Sequence, residues 1–285
     1  MKKAPVKQNT PEWLEFRKDK IGSSDAPIIM GSSPWATPYQ LWEYKVGLRG
    51  ETEKNEAMKR GTALEPQARA EFIKQSGIYV EPEARINLDR HWQIASLDGY
   101  NEERSIAVEI KVPGQKDHEE ALSGKIPEKY IPQLQHIMAV CSLNFVFYFS
   151  YNETSSKIIT LERDEAFIQK LIKAEEEFYQ CMVHFEPPCM DERDYVLRED
   201  AEWNTKAKQW MALNSRLKEI ELAEDSIRKE LIQLASSRNT QGAGIRVRKS
   251  IRKGRVDYNQ IPELKDVDLN IYRKGKIECW TIEKK

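Results

Sequence analysis

The sequence predicts a mixed α/β core followed by a C-terminal appendage, and three observations support this prediction. Four segments with helix start signals come before any strand-like segment. Three strand-like segments, a helix, a strand hairpin and an amphipathic helix follow, an order typical of a mixed sheet covered by helices. Beyond about residue 190 a heptad pattern begins. We therefore predict a core over residues 1–190 and an appendage over 191–285.

The early helices are predicted from the residues at their ends. A threonine before a proline caps the first turn of a helix, and a glycine ends one. The four predicted helices are WLEFRKD after Thr10, a short helix from Ser23 or Ser24 to Gly31, YQLWEYKVG after Thr37, and residues 54–76 before Gly77.

The sheet is predicted from short apolar or alternating runs between turn residues. A helix over 127–143 separates the third strand from the fourth, and a long amphipathic helix ends before Pro187. The predicted strands are IYVEPEARIN, WQIASLD, AVEIKV, FVFYFSY and KIITLE.

The predicted appendage contains a long helix over about 201–238 and a basic, β-containing segment over 245–285. Eight of ten heptad seam positions from Trp203 to Leu234 are apolar, which indicates packing on another helix or on the core. The stretch IRVRKSIRKGR has six basic and no acidic residues, and KIECWTIEKK resembles a strand. The basic stretch is predicted to contact DNA phosphates or an acidic partner; a solvated hairpin is an equal alternative.

The composition is that of a soluble globular protein with a formal net charge of −1. No run approaches the roughly 20 apolar residues of a membrane span, and the N-terminus lacks the apolar core of a signal peptide. We expect no membrane partner and a cytoplasmic location, the bacterial host cytoplasm if the chain is phage-encoded.

Cysteines and histidines form no metal-binding pattern in the sequence. We expect His136 on a helix near the candidate site and His118 in a loop, neither with a second histidine at ligand spacing. The cysteines are expected to be reduced thiols, and they are Cys141, Cys181, Cys189 and Cys279.

The third predicted strand carries charge within an apolar run, V-E-I-K-V. Strand alternation places Glu109 and Lys111 on one face, and Asp98 would lie close to Glu109 if the second and third strands are antiparallel neighbours. Buried charges are normally paired or bound to metal. Carboxylates suit Mg²⁺ or Mn²⁺, with the carbonyl of Ile110 as a further ligand, and Lys111 could orient or deprotonate a water. A purely structural buried salt bridge explains the same residues equally well.

Five ordered blocks over about residues 12–165 resemble the PD-(D/E)xK nuclease superfamily, and within it the YqaJ-like viral recombinases that include the lambda-type exonuclease. The blocks are EWLEFRKDKIGSSDA, SPWATPYQLWEYKVG, MKRGTALEPQARAEF, ASLDGY with VEIKVPG, and YIPQLQHIMAV before FVFYFSY. The chain departs from the usual Ser-Pro-Asp-Gly of these proteins by having Leu97 in place of proline, which removes a rigid turn residue but no ligand.

The resemblance implies a restriction-endonuclease-like core and assigns roles to individual residues. Arg17 and Ser24 match positions that hold the 5′-terminal phosphate. The metal ligands implied are Glu65, Asp98, Glu109 and the carbonyl of Ile110, for two Mg²⁺ or Mn²⁺ ions; Lys111 would serve the attacking water and Gln133 would lie beside it.

The function implied by the resemblance is a metal-dependent 5′–3′ exonuclease on linear double-stranded DNA. Such an enzyme leaves a 3′ single strand for recombination, works as a ring-shaped homotrimer and has a single-strand annealing protein as partner. Two alternatives remain: an endonuclease of restriction or repair with the same fold, and a DNA-binding or assembly protein with an idle site.

Overall fold

The computed structural model describes residues 1–8, 10–50 and 55–252, together with 254, 261–264, 267, 272, 281 and 282. It contains two compact units, Met1–Val196 and Leu197–Lys285. Over these described residues we find no helix with the length and apolarity of a transmembrane span. Cys279 and nearly all of the predicted strand in KIECWTIEKK lie outside the described residues.

One mixed seven-stranded sheet forms the centre of the first unit. Along the order β1-β3-β4-β5-β6-β7, only the β5–β6 pair is parallel, and β2 adds a parallel pairing to β4. The strands are β1 (Lys2–Lys3), β2 (Ile21–Gly22), β3 (Glu81–Ile86), β4 (Gln93–Asn101), β5 (Ile106–Lys111), β6 (Phe145–Asn152) and β7 (Ser155–Glu162).

Helices cover both faces of this sheet. The helix α4 places Phe72 against Val108 and Phe149 on one face, and α6 places Leu134 and Ile137 in the core of the other face. The helices of this unit are α1 (Pro11–Arg17), α2 (Ala26–Ile29), α3 (Pro38–Lys45), α4 (Glu56–Ser76), α5 (Gln115–Leu122), α6 (Ile131–Cys141) and α7 (Glu165–His184). The predicted α/β core with a central mixed sheet is confirmed.

The helix end signals account for most of the early helix boundaries. Thr10 and Thr37 accept hydrogen bonds from the amides of Trp13 (3.2 Å) and Gln40 (3.1 Å), and Gly77 ends α4 in the left-handed conformation at φ 68°. The cap predicted for α2 was wrong, because the residue before its first helical residue Ala26 is Asp25 and not Ser23 or Ser24.

The helix α5 is absent from the sequence-based prediction because QKDHEEAL is polar and short. It carries His118, which is buried and lies between the hydroxyls of Ser150 on β6 (2.7 Å from Nδ1) and Ser155 on β7 (2.8 Å from Nε2). The expectation that His118 lies in a loop was therefore wrong. Its two serine contacts tie α5 to the β6–β7 hairpin.

The residue that replaces proline, Leu97, is a core residue of β4. Its side chain has no solvent exposure and packs in the same cluster as Tyr100 and Leu134. Leu97 pairs with Glu83 of β3, so the strand continues directly into the Asp-Gly pair.

A buried ion pair connects α6, α7 and β4. The Nδ1 of His136 lies 2.6 Å from Glu175 Oε1, and its Nε2 lies 2.9 Å from the carbonyl oxygen of Ile94. Gln93 donates to the other carboxylate oxygen of Glu175 at 2.5 Å. Because acceptors face both ring nitrogens, the charged imidazolium is favoured. Burial opposes this charge, but Glu175 outweighs burial and raises the pKa of His136.

The second unit contains a long helix and a short hairpin. The helix α8 (Ala201–Leu234) begins after Asp200, whose side chain accepts from the amide of Trp203 at 2.9 Å. The strands β8 (Thr240–Gly242) and β9 (Ile245–Val247) pair antiparallel. The boundary at residue 190 and the extent of the basic segment remain predictions.

We expect the substitution His136→Gln to lower the free energy of unfolding by roughly 3–5 kcal/mol at pH 6, because it leaves Glu175 buried without a cation. The folded-state pKa of His136 is raised, so its stabilising contribution is complete below the unfolded pKa of about 6.5 and is lost as pH rises through the folded value. Urea titrations from pH 6 to 9 should show a shrinking difference from the parent. The exposed His91→Gln is the control; a pH-independent difference contradicts the prediction.

Candidate active site

Two carboxylates meet where β4 and β5 separate. The antiparallel ladder between the strands ends at the pair Gly99–Val108, and one residue further are Asp98 and Glu109. There Asp98 Oδ2 accepts a hydrogen bond from the amide of Ile110 at 2.8 Å. Beyond the last backbone pair, a side chain of β4 therefore satisfies the β5 amide. Both carboxylates are thus fixed at the same edge of the strand pair.

The glycine after Asp98 allows the strands to approach closely. A Cβ at Gly99 would lie 2.6 Å from a methyl carbon of Val80 and 2.7 Å from one of Val108. Real Cβ atoms do not make such short contacts, so any other residue would push β4 away from its neighbours. The Asp-Gly dipeptide therefore supplies a carboxylate, and its glycine allows β4 to lie close to Val80 and Val108.

Glu109 is 2% exposed, and its two oxygens have different surroundings. Lys111 Nζ donates to Oε1 at 2.6 Å, and Gln133 Nε2, from the first turn of α6, donates to the same oxygen at 2.5 Å. The other oxygen, Oε2, is buried without a hydrogen-bond partner among the described residues. A buried carboxylate oxygen without a donor is costly unless something else satisfies it.

Glu65 approaches from α4, which packs against β4 and β5. Arg69, one turn further along the helix, forms an ion pair with Glu65 and donates from Nε to the carbonyl oxygen of Asp98 at 2.6 Å. Arg69 therefore joins the helix carboxylate to the β4 end of the site. The sequence-based prediction did not include Arg69, although its i,i+4 spacing from Glu65 was visible.

The three carboxylates share an environment that disfavours their charges. Burial, followed by the nearby Asp98, raises the pKa of Glu109 to about 8. Burial also raises the pKa of Asp98 and of Glu65. Burial alone would lower the pKa of Lys111, but the adjoining Glu109 and Asp98 raise it, so Lys111 is an ammonium at neutral pH. One ammonium and Arg69 compensate part of the charge of three carboxylates.

The oxygen atoms that this site offers as ligands are of the kind that a hard divalent cation prefers. They are carboxylate oxygens, with the unpartnered Glu109 Oε2 among them, and a cation would remove the cost of ionising this group. Across the described part of the chain, however, no three acidic, histidine or cysteine side chains are already grouped as metal ligands. Glu65 is turned to Arg69 and Glu109 to Lys111, and these pairs must rearrange for the carboxylates to share an ion.

The ring of Tyr130 flanks the lysine of the site. Lys111 Nζ lies 5.3 Å from its ring centroid, and the ring stacks on Tyr148 at 5.8 Å. Burial raises the pKa of the Tyr130 hydroxyl to about 12, so it stays neutral. The sequence-based prediction assigned no role to Tyr130, whose only signal was its place directly before the helix that carries Gln133.

Arg17, the last residue of α1, lies next to Ser24 in the segment between α1 and α2. Arg17 Nη2 donates to Ser24 Oγ at 3.1 Å, and the following helix α2 packs against α6, which carries Gln133. The buried Arg17 Nε has no partner among the described residues. The structure thus brings Arg17 and Ser24 together, with hydrogen-bonding capacity left on the guanidinium.

Comparison with known proteins assigns this fold to a class. The chain resembles the crystal structure of an alkaline exonuclease, LHK-Exo, from Laribacter hongkongensis, with a TM-score of 0.55 and 28% identity over 62% of this chain and 94% of that one. A second structure, of LHK-Exo in complex with dAMP, gives a TM-score of 0.54 and 27% identity over the same shares. The fold is the PD-(D/E)xK restriction-endonuclease-like fold of these alkaline exonucleases.

A comparison with protein families matches a shorter part of the chain than the structural comparison does. Residues 12–144 match the YqaJ-like viral recombinase domain. The chain is also 33% identical over 174 residues to the uncharacterized protein YqaJ of Bacillus subtilis strain 168, which covers 59% of this chain and 54% of that protein. The chain therefore spans about half the length of this curated relative. The family predicted from the five sequence blocks is confirmed.

We expect Glu109→Gln to stabilise the metal-free protein at high pH. The pKa of Glu109 is raised to about 8, so its favourable contribution is complete below the unfolded value near 4.5 and is lost as pH rises towards 8. In EDTA, the variant should melt near the parent temperature at pH 5 and several degrees above it at pH 9. Thermal melts against the exposed control Glu103→Gln test this; a variant that melts below the parent at pH 9 contradicts it.

Proposed function

We propose that the protein is a metal-dependent exonuclease that degrades one strand of linear double-stranded DNA from its 5′ end. The observation that supports this most directly is the group of Asp98, Glu109 and Lys111 at the separating ends of β4 and β5, with Gln133 on Glu109 and a free Glu109 oxygen. A merely structural salt bridge would not leave that buried oxygen without a donor. The expected product is a 3′ single strand for recombination by annealing.

The divalent cation, Mg²⁺ or Mn²⁺ and two ions by family resemblance, would be held by Glu65, Asp98, Glu109 and the carbonyl of Ile110. Such a cation lowers the pKa of a bound water and offsets charge on a phosphodiester. The raised pKa of Lys111 keeps its ammonium protonated at neutral pH, so Lys111 acts as a hydrogen-bond donor that orients water or phosphate. Gln133 holds Glu109 Oε1 and fixes the direction of its carboxylate.

The similar exonuclease structures support the same chemistry. LHK-Exo is described as an alkaline exonuclease, and it was crystallised with dAMP, a mononucleotide of the kind that an exonuclease releases from DNA. The match covers 94% of the LHK-Exo chain and 62% of this one. All of the proposed site residues lie in the first unit, and the activity is therefore proposed for that unit.

Recognition of the 5′ end is proposed for Arg17 and Ser24. The Arg17 side chain is 25% exposed, so its guanidinium and the adjacent Ser24 hydroxyl can donate together to the oxygens of a terminal phosphate. DNA ends, further copies of the chain in a ring-shaped trimer and a single-strand annealing protein are the proposed partners, in the cytoplasm of a bacterial host if the gene is of phage origin.

The clearest test of the activity compares DNA forms. With Mg²⁺, we expect the protein to degrade 5′-phosphorylated linear duplex and to leave covalently closed circles intact, because a closed circle offers no terminal phosphate. End-labelled duplexes, resolved on denaturing gels over time, show which strand is lost. Equal attack on both forms would support the endonuclease alternative instead.

We expect Lys111→Ala to lower the rate of nucleotide release by about 10²-fold or more, because positioned proton donors contribute roughly 10²–10⁴-fold. Release of acid-soluble nucleotides from linear duplex measures this. The exposed Lys157→Ala on β7 is the matched control. If the Lys111 variant is as active as the parent, the mechanism is wrong; if neither protein is active, the alternative of an idle DNA-binding protein gains support.

The basic stretch after α8 is proposed to contact DNA phosphates. Arg246, Arg248, Lys249 and Arg252 are solvent-accessible, and no ion pair is found for them among the described residues. Replacing all four by alanine should weaken duplex binding and make it less salt-dependent, by up to about 0.9 in slope for each lost phosphate contact. Binding isotherms at several salt concentrations test this, with Lys208→Ala as control; an unchanged slope indicates a solvated hairpin.

A further inference from the structure

A buried lysine–aspartate pair lies beneath Arg17 and Ser24. Lys45, on α3, has a side chain with no solvent exposure, and its Nζ lies 2.6 Å from Asp25 Oδ2. Asp25 is also buried, and directly follows Ser24 in the chain. Burying two charges is costly, and a well-packed apolar pair would be no less stable. The pair therefore indicates a role other than stabilising the fold.

Lys45 fixes the backbone that carries Arg17. Its ammonium donates to the carbonyl oxygen of Lys20 at 2.6 Å and to that of Arg17 at 3.3 Å, in addition to Asp25. The Arg17 carbonyl belongs to the last turn of α1, where helix carbonyls lack intrahelical donors, and the Lys20 carbonyl follows that turn. All three ammonium protons thus have acceptors, and the end of α1 is tied to α3.

Asp25 acts on the side chain of Arg17. Its Oδ1 lies 3.6 Å from Arg17 Nη2, and its Oδ2 accepts from the amide of Gly22 at 2.8 Å. A Cβ at Gly22 would lie only 3.2 Å from Arg17 Nη2, so the guanidinium packs against a position without a side chain. One edge of the guanidinium is therefore held by Ser24 and Asp25, while the buried Nε keeps its proton unused.

The charges of this cluster do not cancel. Burial opposes ionisation of Asp25, but Lys45 and Arg17, which flank its carboxylate, lower its pKa; burial lowers the pKa of Lys45, and Asp25 opposes that shift. The cluster keeps an excess positive charge next to a hydroxyl donor. A dianionic phosphate compensates that excess, whereas a terminal hydroxyl group does not.

We propose that Asp25 and Lys45 are positioning residues that orient Arg17 and thereby make the protein select 5′-phosphorylated over 5′-hydroxyl DNA ends. This inference rests on the proposed function of Arg17 and Ser24. Neither Asp25 nor Lys45 contacts the DNA; they determine where the guanidinium points before DNA arrives.

The test measures end selection by the full-length chain. Two duplexes that differ only in a 5′-phosphate or 5′-hydroxyl are titrated in EDTA, and single-turnover release of the first nucleotide is followed in Mg²⁺. We expect Arg17→Ala to lower the preference for the phosphorylated end by about tenfold to a hundredfold. Lys45→Met and Asp25→Asn should each lower it about tenfold, whereas the exposed control Lys173→Met should leave it unchanged.

The double variant Lys45→Met/Asp25→Asn separates positioning from folding. Asp25→Asn leaves the buried Lys45 without a counter-ion, and Lys45→Met leaves the buried Asp25 with only the more distant Arg17, so each single variant should lower the melting temperature. The double variant removes both buried charges and should recover most of that loss. End preference should stay low in the double variant, because Arg17 still lacks its carboxylate. A double variant with the parent's preference overturns the inference, even if the single variants do not fold.

The Arg17→Ala result distinguishes the inference from the function on which it rests. If Arg17→Ala keeps the full preference for phosphorylated ends, the proposed end recognition fails, and the positioning inference fails with it. If Arg17→Ala loses the preference but the double variant keeps it, only the positioning inference is overturned.

Discussion

The placement of a buried carboxylate at the end of a strand pair is the constraint on which the rest of the site depends. Glu109 can occupy this position only because Lys111 and Gln133 satisfy one of its oxygens. These two donors come from different elements, the same strand and the first turn of α6, so the sheet and the helix must be assembled before the site exists. The remaining oxygen, Glu109 Oε2, leaves the site able to bind a cation.

Two side-chain clusters of the first unit, one around Glu109 and one around Arg17, share this feature. In both, a charged side chain lies beside a partner and one of its buried atoms has no hydrogen-bond partner among the described residues, Glu109 Oε2 in one and Arg17 Nε in the other. An acceptor without a donor attracts a cation, and a donor without an acceptor attracts an anion. A phosphodiester with its metal ion offers both, which is why the proposed function accounts for two features at once.

Part of this arrangement could be predicted from the sequence because it depends on local rules. Strand alternation places Glu109 and Lys111 on one face, and threonine caps and Gly77 define the ends of three helices. The family resemblance added Gln133, which local pattern could not relate to Glu109. The contacts that remained hidden are long-range: Lys45 with Asp25, His136 with Glu175 and His118 with two serines. Such pairs depend on how helices pack, and a single sequence contains no period that reveals them.

The contact of Gly99 with Val80 and Val108 has a consequence for how the gene can change. Space for a methyl group at position 99 would require smaller residues at both position 80 and position 108. A substitution at the glycine alone is therefore not tolerated, whereas a combined change at all three positions is. Across relatives, these three positions should covary, although none of them carries a charge, and that covariation would report the spacing of the strands around Asp98.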